Sequence, residues 1–306
     1  MENYRFYSVG AGFSPLPADH PSPIQQSVLP VFTRVADQLV PLGTAFMIAP
    51  NGLMMTARHV VEAALATKTH RSRDDGTFYD HYELYVLYLT GELSDNPDAV
   101  NGGFLSVVRV WCSDNTDIGF CWLQTLLKND EPVSYPTMRL SPGLPRVGEK
   151  ILGVGYHKMN TTVAGVFGGK TVVDYSQDFA HASGSVITVH RERRDVGMLN
   201  FPCFHTDAQF EPGMSGGPIF DERGYVCGVI CSSMPPIEND PRYISYGSLL
   251  WIALGSSIEI ASPIEERPEN VTIYDLVSRG YIRTDESIGD VTVVTRPDGK
   301  TQVSLA

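Results

Sequence analysis

The sequence predicts an all-β fold, two barrels in preference to a sandwich, on three observations. Apolar segments of four to nine residues recur along the chain, several rich in Val, Ile, Tyr and Phe. Gly, Pro and Asn-Gly punctuation separates them. They fall into two series divided by a stretch rich in Pro and charge, and all-β chains of this length manage their edges by closure.

Residues 1–24, rich in Pro, Gly and Ser, read as an irregular arm. "VLPVFTRV" and "PLGTAFMIAPNGLMMTA" then read as strands, the second folded into a hairpin at Asn51-Gly52. "RHVVEAALAT" is a short helix directly after a strand, and the polar "KTHRSRDDGTFYD" is a surface loop. The strands "YELYVLYLTG", "FLSVVRVWC" and "DIGFCWLQ" complete a first unit over 25–127, and 128–147 is the linker. A second unit over 148–262 takes its strands from "KILGVGY", "VAGVFGGKTVVDYS", "GSVITVH", "CFHTDAQ", "GGPIFD" and "GYVCGVICSS". The tail, 263–306, holds a helix candidate, "TIYDLVSRGYI", and a hairpin, "DVTVVTRPDGKTQVSL", turning at Pro297-Asp298-Gly299. It reads as an appendage to the second unit.

Bulk properties exclude several classes. A formal charge of −12 repels nucleic-acid phosphates and anionic membranes, so neither is an expected partner. The N-terminus lacks a basic segment followed by an apolar one, and no apolar run is long enough to span a membrane. The five cysteines have no Cys-x-x-Cys spacing, which argues against structural zinc and for reduced thiols in a cytoplasmic protein. Cys227 and Cys231, evenly spaced on one strand, are expected on one face. No cofactor or metal is expected.

The candidate chemistry starts from "EPGMSGGPIFD", residues 211–221. Ser215 among glycines fits an ordinary turn, a strained strand-to-helix nucleophile, or a loop nucleophile of another fold. A serine nucleophile needs a positioned base, and His59 is the candidate, standing where a strand gives way to a helical turn. Asp117, the last polar residue before an apolar strand, is the orienting carboxylate in preference to Asp114, which reads as a turn residue. The amides of Gly213 and Ser215 can face one concavity as oxyanion donors. No histidine follows Ser215, which excludes the Ser, acid, His order within one chain, and the order His59, Asp117, Ser215 remains.

The three blocks "GTAFMIAPNGLMMTARHVV", "TDIGF" and "EPGMSGGPIFD" resemble the signature blocks of chymotrypsin-like (trypsin-like, S1 type) serine peptidases, over roughly residues 28–260. The resemblance implies two six-stranded antiparallel β-barrels, the first carrying His59 and Asp117 and the second Ser215. It implies His59 as general base and acid, Asp117 as its orienting carboxylate, Ser215 as nucleophile, and Gly213 with Ser215 as the oxyanion hole. Departures are informative: Arg58 stands where secreted members usually have alanine, and Met214 replaces the aspartate that pairs with a new N-terminus on zymogen cleavage. The sequence is thus similar to the intracellular bacterial and HtrA-like branch, without an evident PDZ domain. By the same resemblance the primary pocket lies between Gln209, Glu211 and the strand Cys231-Ser232-Ser233, with a small or apolar P1 residue expected. Protein or peptide substrates follow, with a regulatory protein partner allowed. The competing class is a catalytically silent or latent protease-fold protein that binds a partner.

Overall fold

Six strands of the N-terminal half close into a barrel: β1 (Val28–Val35), β2 (Gln38–Ala49), β3 (Leu53–Ala57), β4 (Leu84–Leu93), β5 (Val100–Cys112) and β6 (Ile118–Leu123), in the order β1-β2-β3-β6-β5-β4. The computed structural model describes residues 5–8, 23–36, 38–67, 69–72, 78–81, 83–93, 100–128, 130–167, 170–234, 243–261, 268–296 and 301–306. The β2–β3 hairpin turns at Asn51-Gly52 as its sequence dictates, with Gly52 at φ +91° and its N–H on the Ala49 carbonyl. All five residues of β3 are buried, matching an uninterrupted "LMMTA" run with both faces covered.

The second barrel consists of β7 (Lys150–Phe167), β8 (Lys170–His190), β9 (Cys203–Thr206), β10 (Pro218–Phe220), β11 (Val226–Met234) and β12 (Ile244–Leu249), ordered β8-β7-β10-β11-β12-β9. Pairing of β8 with β9, such as Val189 opposite Phe204, closes it. The fold class read from the sequence, two six-stranded barrels, is therefore the one observed. One apolar core runs across the seam, joining Phe46, Met55 and Phe120 of the first barrel to Val154, Tyr156 and Val229 of the second. The Tyr156 hydroxyl donates to the Val28 carbonyl at 2.9 Å, so the buried phenol is satisfied across that seam. Among the described residues no helix is long and apolar enough to cross a membrane.

Several expectations change. The polar segment expected as a loop contains a two-stranded ladder, Thr69–Ser72 with Phe78–His81; its polar composition conceals the strand pattern. The segments "KILGVGY" and "VAGVFGGKTVVDYS" belong to a long hairpin of β7 and β8 whose register slips between His157 and Asn160 and again between Val163 and Gly165. Cys227 and Cys231 do not share a face: a bulge between Ile230 and Ser232 breaks the alternation. Cys227 joins the second-barrel core, whereas Cys231 packs with Leu199, Cys203 and Tyr246. All five thiols are unpaired. The arm expected to be irregular has a strand, Arg5–Ser8, paired in parallel with Asp178–His181 of β8; the rest of it up to residue 22 lies outside the described residues, as do Pro297-Asp298-Gly299.

The tail has the expected helix, α2 (Ile273–Ser278), and hairpin, β15 (Val291–Thr295) with β16 (Thr301–Leu305), preceded by a ladder of β13 (Ser257–Ala261) and β14 (Pro268–Thr272). Thr272 and Asp275 form a capping box at the start of α2. The tail is not an appendage of the second barrel alone. Ile258, Val271, Ile273 and Leu276 enter the core that holds the first barrel, and Arg109 of β5 pairs with Glu259. The linker is likewise buried at Tyr135, Met138 and Leu140.

A polar knot fastens tail, linker and second barrel together. The Asp285 carboxylate accepts from Arg223 at 2.6 Å, Ser141 at 2.8 Å and the Ser287 hydroxyl at 2.5 Å. Burial alone would raise the Asp285 pKa, but bonds from Ser287, Ser141 and Arg223 outweigh it and hold the group below its usual value. A depressed carboxylate stabilises the fold above its unfolded pKa and loses that contribution as pH falls through the folded value. Asp285→Asn should therefore be less stable than wild type above about pH 4 in urea denaturation, the difference shrinking as the pH drops further. A difference independent of pH would contradict this role.

Candidate active site

Helix α1 (Arg58–Ala66) begins where β3 ends, and its N-cap residue, Ala57, offers no side-chain acceptor. Asp117, at the start of β6, supplies what the helix lacks. Its carbonyl accepts the Arg58 N–H at 3.2 Å and its Oδ1 the His59 N–H at 3.0 Å. Its Oδ2 lies 2.7 Å from His59 Nδ1, where the ionised carboxylate accepts and the ring nitrogen donates. One carboxylate thus caps the helix and fixes the imidazole by the same two oxygens, leaving Nε2 on the far side of the ring. Asp117 is mostly covered, at 13% side-chain exposure, and His59 is open at 44%. Asp114 is 94% exposed and faces Arg58 at 3.7 Å. Arg58 also donates to Glu62 at 2.7 Å and to the Ser113 carbonyl at 2.9 Å, clipping α1 to the turn that carries Asp117.

The loop of Ser215 is a type II turn entered by Pro212: the Met214 N–H reaches the Glu211 carbonyl at 3.0 Å, and Gly213 adopts φ +95°, which only glycine takes without strain. Met214 is fully buried in the second-barrel core, and its Sδ receives the Glu211 N–H at 3.3 Å. The Gly216 N–H bonds the Ile230 carbonyl at 2.8 Å and the Gly217 N–H the Met214 carbonyl at 2.9 Å. Two amides are left over. Among the described residues no acceptor meets the N–H of Gly213 or of Ser215, and the Ser215 hydroxyl likewise has no partner.

The turn is seated on the first barrel beside His59. A Cβ on Gly216 would lie 2.1 Å from the Thr44 carbonyl oxygen and 2.9 Å from the backbone nitrogen of Ala57, two residues before His59. Glycine there lets the Ser215 loop touch the end of β3. His157 flanks the other side: a Cβ on Gly213 would lie 3.3 Å from its Cα. Burial lowers the His157 pKa, and its Nε2, 3.6 Å from Asp178, has no hydrogen-bond partner among the described residues.

Of the expected pocket residues, Gln209 and Glu211 are brought together, the Gln209 amide and the Tyr243 hydroxyl both donating to Glu211 Oε1 at 3.3 Å. Ser232 and Ser233 are half-buried on β11. Cys231 is buried at 6% exposure, and its thiol, raised well above its ordinary pKa by burial, donates to the Tyr246 carbonyl at 3.2 Å. Tyr156, His157 and Tyr243 border the site and carried no motif signal; Thr44, which also borders it, lies inside the first quoted block but was assigned no role there. Among the described residues no cluster of three or more His, Cys, Asp or Glu could hold a metal ion.

Residues 43–229 match the family model of the trypsin-like peptidase domain. No curated protein matches the sequence. Among solved structures the chain is similar to the MamO protease domain of Magnetospirillum magneticum in its apo form, at 14% identity and TM-score 0.44, covering 72% of this chain and 90% of that one. It is also similar to the HtrA-type protease AlgW with a tripeptide, at 17% identity and TM-score 0.41, covering 73% of this chain and 56% of that one.

The capping role of Asp117 predicts that Asp117→Ala lowers stability by about 1 kcal/mol. Asp114→Ala, at a solvent-exposed turn, should stay within about 0.5 kcal/mol of wild type. Paired urea denaturations measure both, and equal effects would contradict the assignment.

Proposed function

The chain belongs to the trypsin-like peptidase domain family, and from that premise we propose that it is a serine endopeptidase acting through an acyl-enzyme on Ser215. The observation that carries the proposal is the His59–Asp117 pair, bonded at 2.7 Å on one barrel, at the seam where the other barrel's Ser215 turn is seated. His59 Nε2 takes the Ser215 proton as the hydroxyl oxygen attacks the scissile carbonyl, then returns it to the leaving amine. Water repeats the sequence to release the acid. Asp117 holds the tautomer that leaves Nε2 free to accept, and stabilises the imidazolium that forms.

The oxyanion of each tetrahedral intermediate is received by the N–H groups of Gly213 and Ser215. Their lack of acceptors within the described fold supports this role. Each such donor contributes about 3 kcal/mol to the transition state. The absence of a bond from the Ser215 hydroxyl to His59 is compatible with turnover, because such bonds often tighten only when substrate binds.

For the primary pocket the proposal keeps Gln209, Glu211, Ser232 and Ser233, and a small or apolar P1 residue. The bonds from Gln209 and Tyr243 tie the Glu211 carboxylate back rather than leaving it free for a cationic side chain. Five unpaired thiols support a reducing compartment, the cytoplasm being part of the same proposal. The silent or latent alternative, in which a protein partner is bound or required, makes a different prediction for a mechanism-based probe.

A fluorophosphonate probe should form one adduct per folded chain, on Ser215, and none on Ser215→Ala. No adduct on purified folded protein, or an undiminished one on the alanine variant, would remove the peptidase assignment.

A further inference from the structure

We propose that Thr44, on β2 of the first barrel, is the positioning residue that sets the oxyanion amides of the second. The inference rests on the peptidase reading of Ser215. Thr44 is fully buried, and every polar group it has is engaged. Its hydroxyl donates to the Gly213 carbonyl at 2.9 Å and accepts the Tyr156 N–H at 3.0 Å. Its own N–H donates to the Ser215 carbonyl at 2.8 Å, and its carbonyl accepts the Thr56 hydroxyl at 2.6 Å. Opposite it on β1 stands Pro30, which has no N–H to offer the ladder.

The geometry gives these bonds their consequence. Gly213 and Ser215 each present a carbonyl to Thr44, which pins the peptide planes 213–214 and 215–216. The plane between them, 214–215, contains the Ser215 N–H, and the plane before them, 212–213, contains the Gly213 N–H. Both proposed oxyanion donors therefore hinge on atoms that Thr44 holds. Glycine at 213 has wide φ/ψ freedom, so without the hydroxyl its plane can rotate and carry the amide away from the site. The hydroxyl is suited to the place because it donates and accepts at once, linking strand β7 to the nucleophile turn.

The test compares Thr44→Val, which keeps the shape and deletes the hydroxyl, with Thr44→Ser, which restores the hydroxyl. The readouts are the limiting rate of fluorophosphonate labelling and the probe concentration at half-saturation. Thr44→Val should lower the limiting rate roughly tenfold to a hundredfold with half-saturation unchanged, and Thr44→Ser should recover most of the loss. Thr44→Ala is the second hydroxyl-free variant, used if valine prevents folding, with thermal melts confirming that each labelled protein is folded. Wild-type labelling together with an unchanged rate in a folded hydroxyl-free variant overturns the role of Thr44 alone, as does a serine variant as slow as valine. Absence of labelling in wild type overturns the peptidase reading, and this inference with it.

Discussion

Contact between the Ser215 turn and the end of β3 is the constraint on which the site depends. The proposed base and nucleophile belong to different barrels, so their relation is only as fixed as the seam between the barrels. At that seam the approach is too close for any side chain on Gly216, and the Thr44 N–H meets the Ser215 carbonyl at 2.8 Å. The core continues across the seam through Tyr156 and Val229, so separating the barrels would expose apolar surface as well as break these bonds. Catalytic geometry and interbarrel packing are in this sense one structural problem.

Two residues show how little of the site is dedicated to chemistry alone. Asp117 satisfies the first N–H groups of a helix that has no cap of its own, and the same carboxylate orients the imidazole. Met214 secures the Ser215 turn by burial in the second-barrel core and by an N–H···S contact. The knot at Asp285 extends the same economy to the tail, with Arg223 bonded to both Asp221 and Asp285.

The barrels were legible because strand segments, glycine punctuation and an Asn-Gly turn are local signals. Of the candidate site, the pairing of His59 with Asp117 could be expected from residue type and order, because few side chains can orient an imidazole, and the two are bonded in the fold. Thr44 lies inside a quoted block, but its proposed role could not be read there because it depends on partners 112 and 169 residues away. The shared face expected of Cys227 and Cys231 was lost to register shifts of β11, which residue spacing does not announce. The tail's packing on the first barrel was invisible for the same reason as Thr44: the apolar residues of α2 announce burial but not against what.

The most direct measurement of the central claim, a nucleophile turn pre-formed by the first barrel with two amides ready for an oxyanion, is a crystal structure of the protein with a peptidyl boronate. The account predicts boron bonded to Ser215 Oγ, one boronate oxygen about 3 Å from the nitrogens of Gly213 and Ser215, and residues 211–217 still bonded to Thr44. A boronate oxygen directed away from those amides, or a turn rebuilt to receive it, would contradict the account.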